Sequence, residues 1–333
     1  MKPKAFIRWW LLWSLVGVGL ALALAHDEGM ATELNSWGWL ALLLSTAPLI
    51  GAQLALGSPA GFAQVKTWID AQGPRAIRWV VAGLSLMYVL GNARTRGLDP
   101  YAGAIFVIGL WAALGAWREA RGPTALRWTD IAVWMLLWIP FDLRWHYDLW
   151  TGLEGLKYAW WAIALTVVAV LGWYGFRAWP EFGYRLVPRW RDAGVALVLT
   201  ALFAALVIPI GLAIDFLHFP PRQVPSVFTV AAAFVGLFLT VALPEEVFFR
   251  GILLHGLDRT WQRGWASLLV SSLAFGLMHW NNASDLTTRV AYIALATLAG
   301  IFYGLAYRRS GNNVLAAVLT HTLVDVIWRF GFQ

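Results

Sequence analysis

Apolar runs about as long as a bilayer is thick, broken by short charged or Pro/Gly-rich joints, govern what this chain can fold into. A helix rises about 1.5 Å per residue and needs about 20 apolar residues to cross a hydrocarbon core. The runs here are of that order and continuous, whereas membrane β-strands would alternate apolar with polar residues. Because lipid offers no partner to backbone N–H and C=O groups, each run must bond to itself as a helix. The expected fold is all-α, a polytopic transmembrane helical bundle of roughly eleven spans (ten to twelve). Its spans fall near 6–25, 37–56, 79–92, 101–117, 129–141, 157–176, 193–214, 226–255, 265–280, 289–307 and 312–329. Composition agrees: only 13% of the 333 residues are charged, against about 25% in soluble domains.

The net charge of +7 does not point to nucleic acid, because Lys and Arg stand at the ends of apolar runs, where membrane orientation places them. Lys2, Lys4 and Arg8 precede the first run, and the next joint carries Asp27, Glu28 and Glu33 without a cation. Basic groups return at Arg75/Arg78, Arg118/Arg127, Arg185/Arg189, Arg259/Arg263 and Arg308-Arg309, all on one side if the N-terminus is cytoplasmic. Arg94 and Arg96 depart from that pattern. The absence of cysteine removes thiol catalysis, thiolate metal sites and disulfides. The first run resembles a signal peptide but is expected to stay as a helix, given the spans that follow. The basic joint at 177–192 suggests a border between an N-terminal helical region (1–190), whose role the sequence does not disclose, and a C-terminal core (191–333).

Inside that core stand charges that lipid penalises. An ionisable group at bilayer depth costs about 2.5–3.5 kcal/mol by insertion scales, so it must be paired, hydrated or functional. In LPEEVFFRG, Glu246 and Arg250 are four apart on one helical face and can pair. Glu245 points about 100° away and needs a partner on another helix. Two later runs offer one: FGLMH carries His279 four residues after Phe275, and HTLVD carries Asp325 four residues after His321. Glu245 and His279 lie equally far in sequence from the short joint at Gln262-Arg263, so an antiparallel hairpin would put them at one depth.

A carboxylate facing an imidazole can activate water and then protonate a leaving amine, while a second imidazole donates to the oxyanion. That set suits peptide hydrolysis without a covalent intermediate. Among other protease patterns, HExxH is absent, Tyr147-Asp148 has no GxGD partner, and Gly83-Leu84-Ser85 is an isolated triplet.

The ordered set EEVFFR, FGLMH and HTLVD resembles the CAAX protease and bacteriocin-processing family of glutamate-type intramembrane endopeptidases, with its pattern EExxxR, FxxxH, Hxxx(N/D). The resemblance covers about 190–333 and implies catalytic roles for Glu245, Glu246, Arg250, His279, His321 and Asp325. By it, Glu245 and His279 activate the water, His321 and Asp325 support the oxyanion, and Glu246 and Arg250 hold their helix. Where the best-understood members have Asn, this chain has Asp325, whose ionised form cannot donate a hydrogen bond. Asp325 is therefore either protonated or orients His321, so that imidazolium donates; the second is the expectation.

Two His and a Glu are also the ligand count of catalytic zinc. No cofactor is the expectation, with Glu245, His279 and His321 as the set if zinc is bound. The implied partners are a membrane-tethered protein or peptide substrate and the lipid bilayer, with no nucleic acid. The implied location is an integral position in a bacterial inner (plasma) membrane, N-terminus cytoplasmic. The rivals are a proton-coupled transporter using the same Glu and His as a relay, and a non-catalytic scaffold or immunity protein. Asp142, Arg144, His146 and Asp148 read as an interfacial charge network, His255 as an interfacial helix-end residue, and Gly300/Gly304 as a close-packing GxxxG.

Overall fold

The computed structural model describes residues 14–20, 22, 38–39, 42–92, 100–120, 125–145, 149, 154–180, 182–219, 225–262 and 264–332. Among them there are helices and turns and no strand, as the continuous apolar runs require. The chain divides into two compact units. One comprises Met1–Pro123, Ala132–Pro180 and Arg185–Val187; the other comprises Thr124–Ile131, Glu181–Tyr184 and Pro188–Gln333. The expected span at 6–25 lies largely outside the described residues, as do Arg94, Arg96, His146, Asp148 and Arg263.

The first unit carries α1 (Leu42–Leu56), α2 (Pro59–Gln72), α3 (Arg75–Asn92), α4 (Pro100–Glu119) and α6 (Lys157–Phe176), with the part of α5 (Trp128–Asp142) from Ala132 onward. α2 falls in a stretch that reads as a joint. It starts where Ser58 Oγ accepts from Gly61 N (3.0 Å) and Pro59 opens the first turn, a strong helix start. It bends 98° away from α1.

The second unit carries α7 (Trp190–Ala213), α8 (Val227–Thr260), α9 (Trp265–Leu277), α10 (Leu286–Arg309) and α11 (Val314–Gly331). The starts of α7, α8 and α10 are held by side chains. Asp192 reaches back to Arg189 N (3.1 Å), Ser226 accepts from Thr229 N (3.1 Å), and Asp285 accepts from Thr288 N (2.9 Å). Between α8 and α9 the chain turns at Gln262 in a left-handed conformation (φ 58°), and α9 packs back on α8.

Among the described residues five helices are long and apolar enough to cross a membrane, α6, α7, α8, α10 and α11, or six if α1 and α2 together form one broken span. The protein thus reads as an integral membrane protein, but the count of eleven is not reached among the described residues. α5 (15 residues) and α9 (13 residues) are helices where spans were expected, yet fall short of about 20 residues.

Close contacts between helices pin the second unit. A Cβ at Gly300 would lie 3.0 Å from Ser272 Cα, so the GxxxG of α10 sets a tight approach to α9. Arg308 of α10 donates to Asp258 Oδ2 of α8 (3.1 Å) and to Gly264 O (3.1 Å), and Ser267 of α9 donates to Asp258. His255 departs from the sequence reading: it is buried (2% exposed), with Nδ1 3.0 Å from the Tyr307 hydroxyl.

Candidate active site

α8 is not regular where the carboxylates sit. Pro244 lacks an N–H and cannot close the usual i→i−4 bond, and π-helical turns flank it at Phe238–Ala242 and Val247–Leu254. The short α-helical piece between them, Leu243–Glu246, presents both glutamates. Arg250 and Glu246 pair as their spacing implies: Nη1 donates to Oε1 (3.2 Å), and Nε lies 3.1 Å from Oε2. Both are fully buried, and Arg250 Nη2 also donates to Gly300 O of α10 (3.0 Å). A buried guanidinium thus has a carboxylate and a carbonyl to satisfy it.

α11 brings His321 to the same place. Its Nδ1 lies 2.8 Å from Glu246 Oε1, its Nε2 3.4 Å from Asp325 Oδ2 and 3.8 Å from Glu245 Oε2. Glu246 already faces Arg250 and accepts only, so Nδ1 donates. The Nε2 edge faces Glu245 and Asp325. Glu245, with its side chain 14% exposed, has an Oε2 that no donor among the protein groups satisfies. The acid without a partner on its own helix therefore faces His321, with one acceptor oxygen unbonded among the described residues.

His279 lies at the end of α9, in the 3₁₀ turn Met278–Asn282. Its Nδ1 is 2.9 Å from Phe275 O, one turn back. A carbonyl only accepts, so the proton sits on Nδ1, and Nε2 is left as the acceptor. The Phe275 ring links it to the rest: its centroid is 4.9 Å from the His279 ring, 5.7 Å from that of His321 and 4.5 Å from the Arg250 guanidinium. The structure thus brings Glu245, Glu246, Arg250, His321 and Asp325 into one cluster, with His279 joined through Phe275.

Two contributions were not read from the sequence. Glu246 was given a helix-holding role, yet it also bonds directly to His321. α10, which supplies no motif residue, gives Gly300 O to Arg250, and its Tyr303 and Tyr292 lie against the two imidazoles. The available signal was their eleven-residue spacing, three helical turns on one face.

Asp142 and Arg144, of the charge group at the end of α5, are described, and Arg144 has a positive φ of 59°. Among the described residues no group of three His, Cys, Asp or Glu is arranged to hold a metal ion. One nitrogen of each imidazole is already engaged, by Glu246 and by Phe275 O. What the arrangement offers is an open carboxylate, an accepting imidazole nitrogen and an imidazole held between carboxylates, the parts of acid–base chemistry on a carbonyl.

Comparison with protein families finds a match over residues 225–327, to the family described as Rce1-like, type II CAAX prenyl endopeptidase Rce1-like. The matched segment runs from the start of α8 into α11 and includes all three motifs, which bears out the resemblance read from them. Neither curated proteins nor solved structures gave a match.

Proposed function

With residues 225–327 carrying an Rce1-like domain, of a family of prenyl endopeptidases and hence of peptide hydrolases, we propose the following reading. The chain is an intramembrane endopeptidase that cleaves a membrane-tethered protein or peptide near its C-terminal or membrane-proximal end. The observation that carries it is the buried, unsatisfied Glu245 Oε2 facing His321 Nε2 at 3.8 Å. Glu246, by contrast, is bonded through Oε1 to both Arg250 and His321. Glu245 is poised to take a proton.

In the proposed mechanism a water held between Glu245 and His279 Nε2 attacks the scissile carbonyl. Glu245 accepts its proton and later delivers it to the leaving amine. His321, as imidazolium, donates Nδ1–H to Glu246 and turns Nε2–H toward the developing oxyanion, where a preorganised donor is worth most. Asp325 orients that edge, which is the work left for a carboxylate in the position where donation by Asn is replaced. Arg250 neutralises Glu246 and fixes it to α10. In this reading no step passes through a metal.

The alternation of basic joints supports a cytoplasmic N-terminus in a plasma membrane, with the site toward the outer half of the bilayer. The test is a comparison of protein C-termini in membrane and secreted fractions from cells with the intact protein and with Glu245→Ala. Accumulation of an uncleaved C-terminal segment in the variant is expected. Identical termini throughout would remove support for the peptidase reading, and altered proton flux instead would favour a transporter.

A further inference from the structure

α10 contributes nothing to EExxxR, FxxxH or HxxxD, yet it touches both imidazoles. The Tyr303 ring, 2% exposed, lies 4.5 Å from the His321 ring with the planes only 17° apart. Three turns earlier on the same face, the Tyr292 ring lies 5.3 Å from the His279 ring, with planes 25° apart. Both pairs are stacked, face against face. Phe275 closes the corner between them, edge-on to His321 (5.7 Å, 87°) and to Tyr303 (5.9 Å, 77°).

The two tyrosines are themselves held. The Arg250 guanidinium sits 5.3 Å from the Tyr303 ring centroid, and the same guanidinium donates to Gly300 O one turn before Tyr303. Tyr292 packs against Phe216 (5.6 Å) and Trp328 (6.2 Å), the latter one turn beyond Asp325.

A hydrogen bond at Nδ1 fixes one point of an imidazole. The ring can still swivel about that bond, and a swivel moves Nε2 out of line. A parallel ring pressed on the imidazole face removes that freedom. Each histidine here has one fixed nitrogen, to Glu246 Oε1 or to Phe275 O, and one tyrosine on its face.

We infer that Tyr303 and Tyr292 are positioning residues, which set the planes of the His321 and His279 rings from a helix of the core that carries no motif. This rests on the peptidase reading above for its consequence in catalysis, though not for the stacking itself. Misplacing a reacting group by about 1 Å can cost about 100-fold in rate.

The experiment uses the full chain in proteoliposomes and two readouts. The first is turnover of an internally quenched, S-farnesylated peptide ending in a CaaX sequence, per mole of folded enzyme. Tyr303→Met, which stays apolar but removes the flat face, should lower kcat by about 100-fold with KM nearly unchanged. Tyr303→Phe, which keeps the ring, should restore most of it. Equal loss in both variants, or loss only of folded protein, overturns the inference.

The second readout needs no turnover: the rate of diethyl pyrocarbonate modification of each histidine, followed by peptide mass spectrometry. Tyr303→Met should accelerate modification of His321 and leave His279 as it was; Tyr292→Leu should do the reverse. If the intact protein leaves the peptide uncut, the substrate reading fails while this pattern still decides the positioning. Unchanged rates at both histidines would overturn it. Should Tyr303→Met not accumulate, the half-exposed Tyr292 carries the same comparison at His279.

Discussion

Glu246 Oε1 lies 2.8 Å from His321 Nδ1, across 75 residues of sequence, and the same carboxylate pairs with Arg250 on its own helix. The second glutamate of the motif therefore links α8, α10 and α11, since Arg250 continues to Gly300 O. Removing one member of such a chain leaves the others charged and unpaired in an apolar interior.

Glu246→Ala is accordingly expected to lose stability by about 3–5 kcal/mol, the scale for breaking a buried pair from one side. Glu246→Gln keeps the shape and should fold better than the alanine variant, but with turnover severely reduced, because an amide does not balance Arg250 and His321 together. Thermal unfolding in detergent and turnover of the farnesylated peptide separate the two effects. Wild-type activity in Glu246→Gln would contradict a charged linkage.

Asp325 faces the other edge of the His321 ring at 3.4 Å. If it orients the imidazole, Asp325→Asn should keep measurable activity, because an amide can donate to the oxyanion itself, but its pH–rate profile should move. Asp325→Ala, which can do neither, should lose far more. A profile in Asp325→Asn that superimposes on the wild type would show that the carboxylate has no part in the protonation of His321.

Gly276 and Gly300 let α9 and α10 approach closely. A Cβ at Gly276 would stand 2.7 Å from Ile293 O, and one at Gly300 3.0 Å from Ser272 Cα. Both obstacles include backbone, which cannot rotate aside. Gly276→Ala and Gly300→Ala should each destabilise by about 1–3 kcal/mol, the range for overpacking. Gly300→Ala should also reduce turnover per folded molecule, through the Arg250 contact. Unfolding midpoints equal to wild type would contradict the close approach.

Catalysis without metal predicts that turnover survives exhaustive dialysis against a strong zinc chelator. Loss of activity that stoichiometric zinc restores would instead make Glu245, His279 and His321 ligands.

The helical class was legible because lipid forces each apolar run to satisfy its own backbone. The ion pair of Glu246 with Arg250 was legible because it is local, one turn apart on one helix. What escaped is what comes from other helices or from irregular backbone. The bond from Glu246 to His321 depends on how α11 packs on α8, and Tyr303 carries no polar mismatch to draw attention in an apolar run. The burial of His255 depends on Tyr307, 52 residues on. α2 was missed although Ser58-Pro59 announces a helix start, because its Lys66–Asp70 pair (2.5 Å) and modest apolarity read as a joint between spans.

The account rests on Glu245 as the group that takes a proton from water. The most direct measurement is single-turnover cleavage of the farnesylated peptide by wild type and Glu245→Gln in proteoliposomes, with peptide binding measured on both. The account predicts a fall in the cleavage rate of at least about 100-fold at unchanged peptide affinity, the scale of a lost general base. Cleavage by Glu245→Gln at the wild-type rate would contradict it.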